Sequence, residues 1–127
     1  MEKESQSKQM YLRLINKTED YIEQNLKESL TLRDVAKNSH LSEFHFHRIF
    51  KKYATETINE FITRVKLERA AIFLCVNPNL SITAIAMAYG YSDASSFSRS
   101  FKRQFGLSPL KYRKQQEVTR ITSSFME

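Results

Sequence analysis

A stretch of the chain recurs about 50 residues further on, so the fold must accommodate two copies of one structural unit. One set of matches is spaced by 50 positions: Leu30, Thr31, Leu32, Val35, Ala36 and Ser42 match Leu80, Ser81, Ile82, Ile85, Ala86 and Ser92. After a one-residue insertion the spacing becomes 51: Phe46, Arg48, Phe50, Lys51 and Lys52 match Phe97, Arg99, Phe101, Lys102 and Arg103. Each copy predicts a short helix, a tight turn and a second helix, with a small alanine where the helices approach.

Apolar periodicity and capping residues place the individual helices. Apolar residues recur at helical spacing from Tyr11 and predict a first helix that ends near Leu26. A long helix is predicted over 58–76, and Gly90 and Gly106 are typical of helix ends. Candidate first caps of the other helices are Thr31 with Asp34, Ser42, Ser81, either Ser92 or Asp93, and Ser108 before Pro109.

Composition favours an all-α fold of about seven helices. The 127 residues include only two Gly and two Pro, too few for a turn-rich β-sandwich. We expect two helix-turn-helix subdomains joined by a long central helix. The expected segments are a flexible leader at 1–9, the first subdomain at 10–56, the linker helix at 57–77, the second subdomain at 78–116, and a tail or linker at 117–127.

The chain carries no sequence signal for a membrane or for secretion. The longest apolar run, 70–76, is far shorter than the roughly 20 residues that a spanning helix needs. The single cysteine, Cys75, excludes an internal disulfide, and we expect it to be a buried small hydrophobic residue. We therefore expect a cytoplasmic protein.

Positive charge is concentrated in the repeated part of the chain. The net charge is +6, but residues 1–34 hold 6 basic and 7 acidic side chains, whereas residues 35–127 hold 14 and 7. A solvated basic face would explain the charge alone. The combination with two helix-turn-helix units instead predicts a polyanionic partner, double-stranded DNA.

A helical-wheel projection divides the second helix of each unit into two faces, at about 100° per residue. In the first unit the stripe around Phe46 and Phe50 faces inward, with His45 beside the core, and the outward face holds Phe44, His47, Arg48 and Lys51. In the second unit Phe97, Phe101, Gln104 and Phe105 face inward, and the outward face holds Ser95, Ser96, Arg99, Lys102 and Arg103. Arginine can bind guanine with two hydrogen bonds and phenylalanine can contact a thymine methyl group, so these faces suit major-groove readout.

The long helix supplies a suitable spacing between the two units. Its predicted length is about 28 Å at about 1.5 Å per residue. Successive major grooves on one side of a duplex are about 34 Å apart. One chain could therefore occupy two adjacent grooves.

The stretch from Ala86 to Arg113, with Gly90, Phe97, Arg99 and the run from Phe105 to Pro109, closely resembles a signature of the AraC/XylS family of bacterial transcription regulators. The resemblance covers residues 11–116, and because no second domain is visible the chain is similar to single-domain members of the family. It implies a monomer that inserts both recognition helices into adjacent major grooves and recruits RNA polymerase to activate promoters. The alternative is that the chain is the DNA-binding fragment of a larger ligand-sensing regulator.

By position, the resemblance implies base contacts from Phe44, His47, Arg48, Ala94, Ser95, Ser96 and Arg99. It agrees with the wheel except at Ala94. We expect phosphate contacts from Ser42, Lys51, Ser92, Lys102 and Arg103. Because His40 occupies the turn position of Gly90, we expect the first turn to be held differently from the second.

Other classes of function make distinct predictions. A non-specific architectural DNA-binding protein needs only the charge, and a helical adaptor would bind protein through the acidic first helix without binding DNA. No phosphate-binding loop, paired carboxylates or activated nucleophile is evident, so we expect no enzyme activity and no cofactor. We expect no metal site either, because His45 and His47 lie far apart around their helix and no Cys or acid completes the set.

Overall fold

The computed structural model describes residues 2–126 and the side chains of residues 2–120. Within that range the chain forms seven helices and no strand, which confirms the all-α prediction. The helices are α1 Glu2–Gln24, α2 Leu32–Asn38, α3 Glu43–Tyr53, α4 Ile58–Val76, α5 Ile82–Ala88, α6 Ala94–Phe105 and α7 Pro109–Met126. None of these described helices is long and apolar enough to cross a membrane.

The chain forms two compact units, residues 1–66 and 67–127, and the boundary falls inside α4. The long helix is therefore not a separate linker as expected, because each of its halves belongs to the core of one unit. In unit 1 the buried cluster combines α1, α2, α3 and the first half of α4: Leu14, Ile22, Val35, Ala36, Phe46, Phe50, Ile58, Phe61, Ile62 and Val65. Aromatic rings tie this cluster together, with Phe50 meeting Phe61 edge-on at 5.7 Å.

Unit 2 repeats this plan with the second half of α4. Its buried side chains include Leu67, Ala70, Leu74, Ile85, Ala86, Phe97 and Phe101. The rings of Phe101 and Phe105 pack against Tyr112 at the start of α7. Arg113 then donates to the carbonyl oxygens of Leu74, in the last turn of α4, and of Asn77 and Leu80, in the segment that follows, so it ties the end of α4 to α7.

Most predicted caps are confirmed. Thr31 and Asp34 form a reciprocal capping box, and Ser42 and Ser81 cap α3 and α5 through their side-chain oxygens. Asp93, rather than Ser92, caps α6, so the one-residue insertion in the repeat lies in the turn before this cap. Gly106 ends α6 in the left-handed region, with a φ of 77°.

The expectation that the first turn is held differently is wrong. His40 has a φ of 59° and Gly90 a φ of 85°, so both turns use the left-handed region. In both, the following amide donates to the carbonyl oxygen of the buried alanine, Leu41 to Ala36 and Tyr91 to Ala86, at 3.0 Å. The backbone hydrogen bonds hold this geometry even though histidine lacks the conformational freedom of glycine.

Both ends of the chain differ from expectation. Residues 2–9, expected to form a flexible leader, continue α1, and residues 117–126, expected to be a tail, continue α7. Neither segment contains Gly or Pro, and residues 2–9 consist only of Glu, Lys, Gln and Ser. Glu, Lys and Gln favour helix without needing an apolar stripe, so periodicity alone underestimates α1. After residue 116 no Gly or Pro interrupts α7 up to its end at Met126.

Two inward assignments are also wrong. Gln104 is exposed, because burying its amide without a partner would cost free energy. Cys75 is only half-buried, and partial burial raises the pKa of its thiol. A buried charge was not predicted: Lys66 is 9% exposed and donates from Nζ to the Glu28 carbonyl oxygen, and burial lowers its pKa.

Candidate nucleic-acid interface

In unit 1 the helix α3 presents the predicted outward face to solvent. Phe46 and Phe50 anchor the helix in the core, and the Ser42 hydroxyl accepts from the backbone amide of His45 at 3.1 Å. The remaining side leaves Phe44 77% exposed, beside three further exposed side chains: His47, Arg48 and Lys51. His45 is half-buried, in keeping with a position beside the core.

In unit 2 the helix α6 presents an equivalent face. Phe97 and Phe101 are fully buried, and the opposite side exposes Ser95, Arg99, Lys102 and Arg103. The first turn is less open than the wheel suggests, because Ser96 is half-buried. Ala94, the one position where resemblance and wheel disagree, is half-buried too.

The start of α6 carries a negative charge. The Asp93 carboxylate accepts from the backbone amide of Ser96 at 2.7 Å, and this hydrogen bond and one from the Ser96 hydroxyl lower the pKa of Asp93. The carboxylate is therefore ionised at neutral pH and occupies one of the free amides of the helix terminus. Because Asp93 caps α6, Ser92, which is exposed one residue earlier, is not the structural equivalent of the capping residue Ser42.

Arg99 is oriented by its own helix. Its Nη2 lies 3.4 Å from the Ser96 hydroxyl oxygen one turn earlier, and the Asp93 charge acts on the same guanidinium. The Asp93, Ser96 and Arg99 side chains thus follow one edge of α6. Arg48, at the matching position of α3, is also exposed.

Each unit gathers its own predicted site residues on one helix and the residue or two before it. Unit 1 holds Ser42, Phe44, His47, Arg48 and Lys51, and unit 2 holds Ser92, Ala94, Ser95, Ser96, Arg99, Lys102 and Arg103. One exposed cation of α3 is absent from the predicted set: Lys52, whose Nζ lies 5.4 Å from the ring centroid of Tyr53. The repeat could have identified it, because Lys52 matches Arg103.

Among the described residues, no three His, Cys, Asp or Glu side chains lie close enough together to hold a metal ion. The exposed side chains of the predicted site are hydrogen-bonding groups, cations and one large aromatic ring, while Glu43 and Asp93 place a carboxylate at or just before the first turn of each helix. Such side chains bind base edges and phosphates.

Comparison with known proteins places the chain in a family. A helix-turn-helix domain model matches residues 35–115. The chain is 38% identical over 101 residues to the Msm operon regulatory protein of Streptococcus mutans, covering 80% of this chain and 36% of that protein. It is 36% identical over 93 residues to the HTH-type transcriptional activator AarP of Providencia stuartii, covering 73% and 68%.

A solved structure supports the same assignment. The C-terminal domain of AraT, a response regulator from Geobacillus stearothermophilus, is 29% identical with a TM-score of 0.69, and the match covers 80% of this chain and 84% of that one. The chain spans only 31–46% of the length of four relatives that it matches. The domain match, the relatives and the fold together show that the chain belongs to the AraC/XylS-type family of helix-turn-helix transcription regulators.

Proposed function

We propose that this chain regulates transcription by binding double-stranded DNA sequence-specifically, with α3 and α6 inserted into adjacent major grooves. The observation that carries the proposal is the pair of matched arginines. Arg48 and Arg99 occupy equivalent repeat positions, and each is exposed on a helix whose opposite side is buried. A structural role in surface ion pairs would not require the same residue in both copies.

The roles of the outward residues follow from the chemistry of the major groove. Arg48 and Arg99 would bind guanine O6 and N7, and Phe44 would contact a thymine methyl group. His47, Ser95 and Ser96 offer donors and acceptors to base edges, and Ala94 lies beside them. The flanking groups Ser42, Lys51, Ser92, Lys102 and Arg103 would contact phosphates and set the register on the duplex.

The length of α4 supports simultaneous use of both helices. The helix contains 19 residues and is unbroken from Ile58 to Val76. At about 1.5 Å per residue it is about 28 Å long, comparable to the roughly 34 Å between successive major grooves. A monomer would therefore be enough to bind a DNA site that contains two blocks of preferred bases, one in each major groove.

The wider biological role belongs to the same proposal. The relative AarP is named a transcriptional activator, and we infer activation through RNA polymerase for this protein too. We place it in the cytoplasm on the nucleoid, acting through binding alone without an enzymatic step.

Selection of bound fragments from a random DNA pool tests the proposal. We expect two short blocks of preferred bases whose centres lie about 10 base pairs apart. Arg99→Ala should weaken the selected site by about 1–3 kcal/mol and relax the choice at one base pair. A single block would contradict the two-groove arrangement, and equal losses on selected and random DNA would show that Arg99 contacts only phosphate.

The net charge of +6 also suits an architectural protein that coats DNA without reading it. Binding to selected and random duplexes over a range of salt concentrations distinguishes the two functions. A specific regulator should bind the selected site at least ~10³-fold more tightly than random DNA. A coating protein should bind both equally.

A further inference from the structure

The first turns of α1 pack beside the C-terminal half of α3. The Tyr53 hydroxyl donates to the Glu4 carbonyl oxygen at 3.5 Å, and the rings of Tyr53 and Tyr11 lie 5.1 Å apart. Residues 2–9, for which no fixed position was expected, therefore lie against the helix that carries Arg48 and Lys51.

Two adjoining recesses between α1 and α3 collect positive charge. Lys52 and Tyr53 line both recesses, one together with Arg48 and the other together with Lys8. The Tyr53 ring lies under the Lys52 ammonium group, which restricts where that cation can go. Glu4 lines the second recess, so the two recesses carry three cations against this carboxylate.

We propose that Lys8 and Lys52 bind backbone phosphates beside the major groove that holds α3. This inference rests on the proposed function, because it takes α3 as the helix that enters the groove. A helix in a groove about 12 Å wide lies close to the phosphates along its edge. Lys52 is one residue beyond the predicted phosphate contact Lys51 and matches Arg103 in the repeat, and α1 brings Lys8 to the same edge of α3.

The arrangement of the cations fits a polyanion better than a single small anion. Lys8, Arg48, Lys51 and Lys52 are all exposed and are spread over two helices. A duplex offers one negative charge per about 1.7 Å of its axis, so separated cations can each meet a phosphate. A compact anion would need donors that converge on one point.

The salt dependence of binding to the selected site tests the inference. Lys8→Gln and Lys52→Gln should each reduce the slope of log K against log salt by about 0.9, because each removes one phosphate contact. The preferred bases should not change. Lys17→Gln is the matched control: Lys17 is an exposed lysine of the same helix, nine residues and so about half a turn around α1 from Lys8. It should leave the slope at the wild-type value.

The outcomes separate this inference from the proposed function. If the wild-type protein selects no preferred site, both are overturned. If the wild type selects a site but Lys8→Gln and Lys17→Gln give the same slope, only the phosphate contacts of α1 are overturned. Far-UV circular dichroism of each variant shows that the helices are intact, which the exposure of all three lysines leads us to expect.

Discussion

His40 holds a backbone conformation that costs an ordinary L-residue about 1–2 kcal/mol. Glycine avoids this cost, but it has more conformational entropy in the unfolded chain, and losing that entropy on folding costs about 0.4–1 kcal/mol. His40→Gly should therefore raise the free energy of unfolding by about 0.5–1 kcal/mol. Urea unfolding followed by circular dichroism measures the change.

Gly106→Ala supplies the matched control for backbone strain. Gly106 has a φ of 77°, and a Cβ at this position would meet nothing within 4 Å, so only the backbone conformation penalises alanine. This substitution should lower stability by about 1 kcal/mol. A His40→Gly protein that is less stable than the wild type would show that the imidazole makes a contact worth more than the strain.

Individual residues were predictable wherever their role is local. The position of a capping residue before a helix, and the helical spacing of aromatic residues that face the core, can both be read from the sequence. Thr31, Ser42 and Phe97 therefore lie where expected. Contacts between distant segments could not be predicted in this way. The hydrogen bonds of Lys66 to Glu28 and of Arg113 to Leu74 depend on how distant segments pack together, and the periodicity of the sequence does not predict that packing.

At the scale of helices, the cap of α6 should make stability depend on acid pH. The pKa of Asp93 is below its ordinary value of 3.8, chiefly because the backbone amide of Ser96 donates to the carboxylate. A carboxylate with a lowered pKa in the folded state stabilises the fold above its unfolded pKa, and this contribution is lost as pH falls through the folded pKa. The pKa of Asp34, in the capping box of α2, is also lowered, chiefly by the hydrogen bond from the Thr31 amide, so this carboxylate too stabilises the fold less as the pH falls.

Asp93→Asn isolates this effect, because asparagine also caps helices but does not titrate. The variant should lose less stability than the wild type as the pH is lowered from about 5 to about 2. Urea midpoints over that range measure the difference. Parallel curves for the two proteins would show that the cap does not contribute to acid unfolding.

Helix positions were predicted better than helix lengths. The predicted starts of α2, α3 and α5, both limits of α4 and the end of α6 agree with the structure, because a capping residue or a helix-breaking residue marks most of these positions. The outer part of α1 has no such signal and little buried surface. Its extent therefore depends on helix propensity and on the packing of Tyr53 against it, which is also why Lys8 was not predicted to lie beside α3.

For the whole molecule, the proposed function ties both reading helices to one continuous α4. Inserting about 5 base pairs between the two selected blocks moves the second block to the opposite face of the duplex. Affinity should then fall to that of a duplex with only one block, whereas replacing the spacer with another sequence of equal length should have little effect. Gel-shift titrations compare these duplexes. Undiminished binding after the 5-base-pair insertion would mean that one unit suffices.

The two turns have one further consequence. In both turns the amide after the corner donates to the carbonyl oxygen of Ala36 or Ala86, although the corner residue is histidine in one turn and glycine in the other. The two copies therefore share the backbone geometry of the turn but not the residue at its corner. A motif search that demands glycine at this corner would overlook half of this molecule, whereas one that demands the alanine four positions earlier would find both halves.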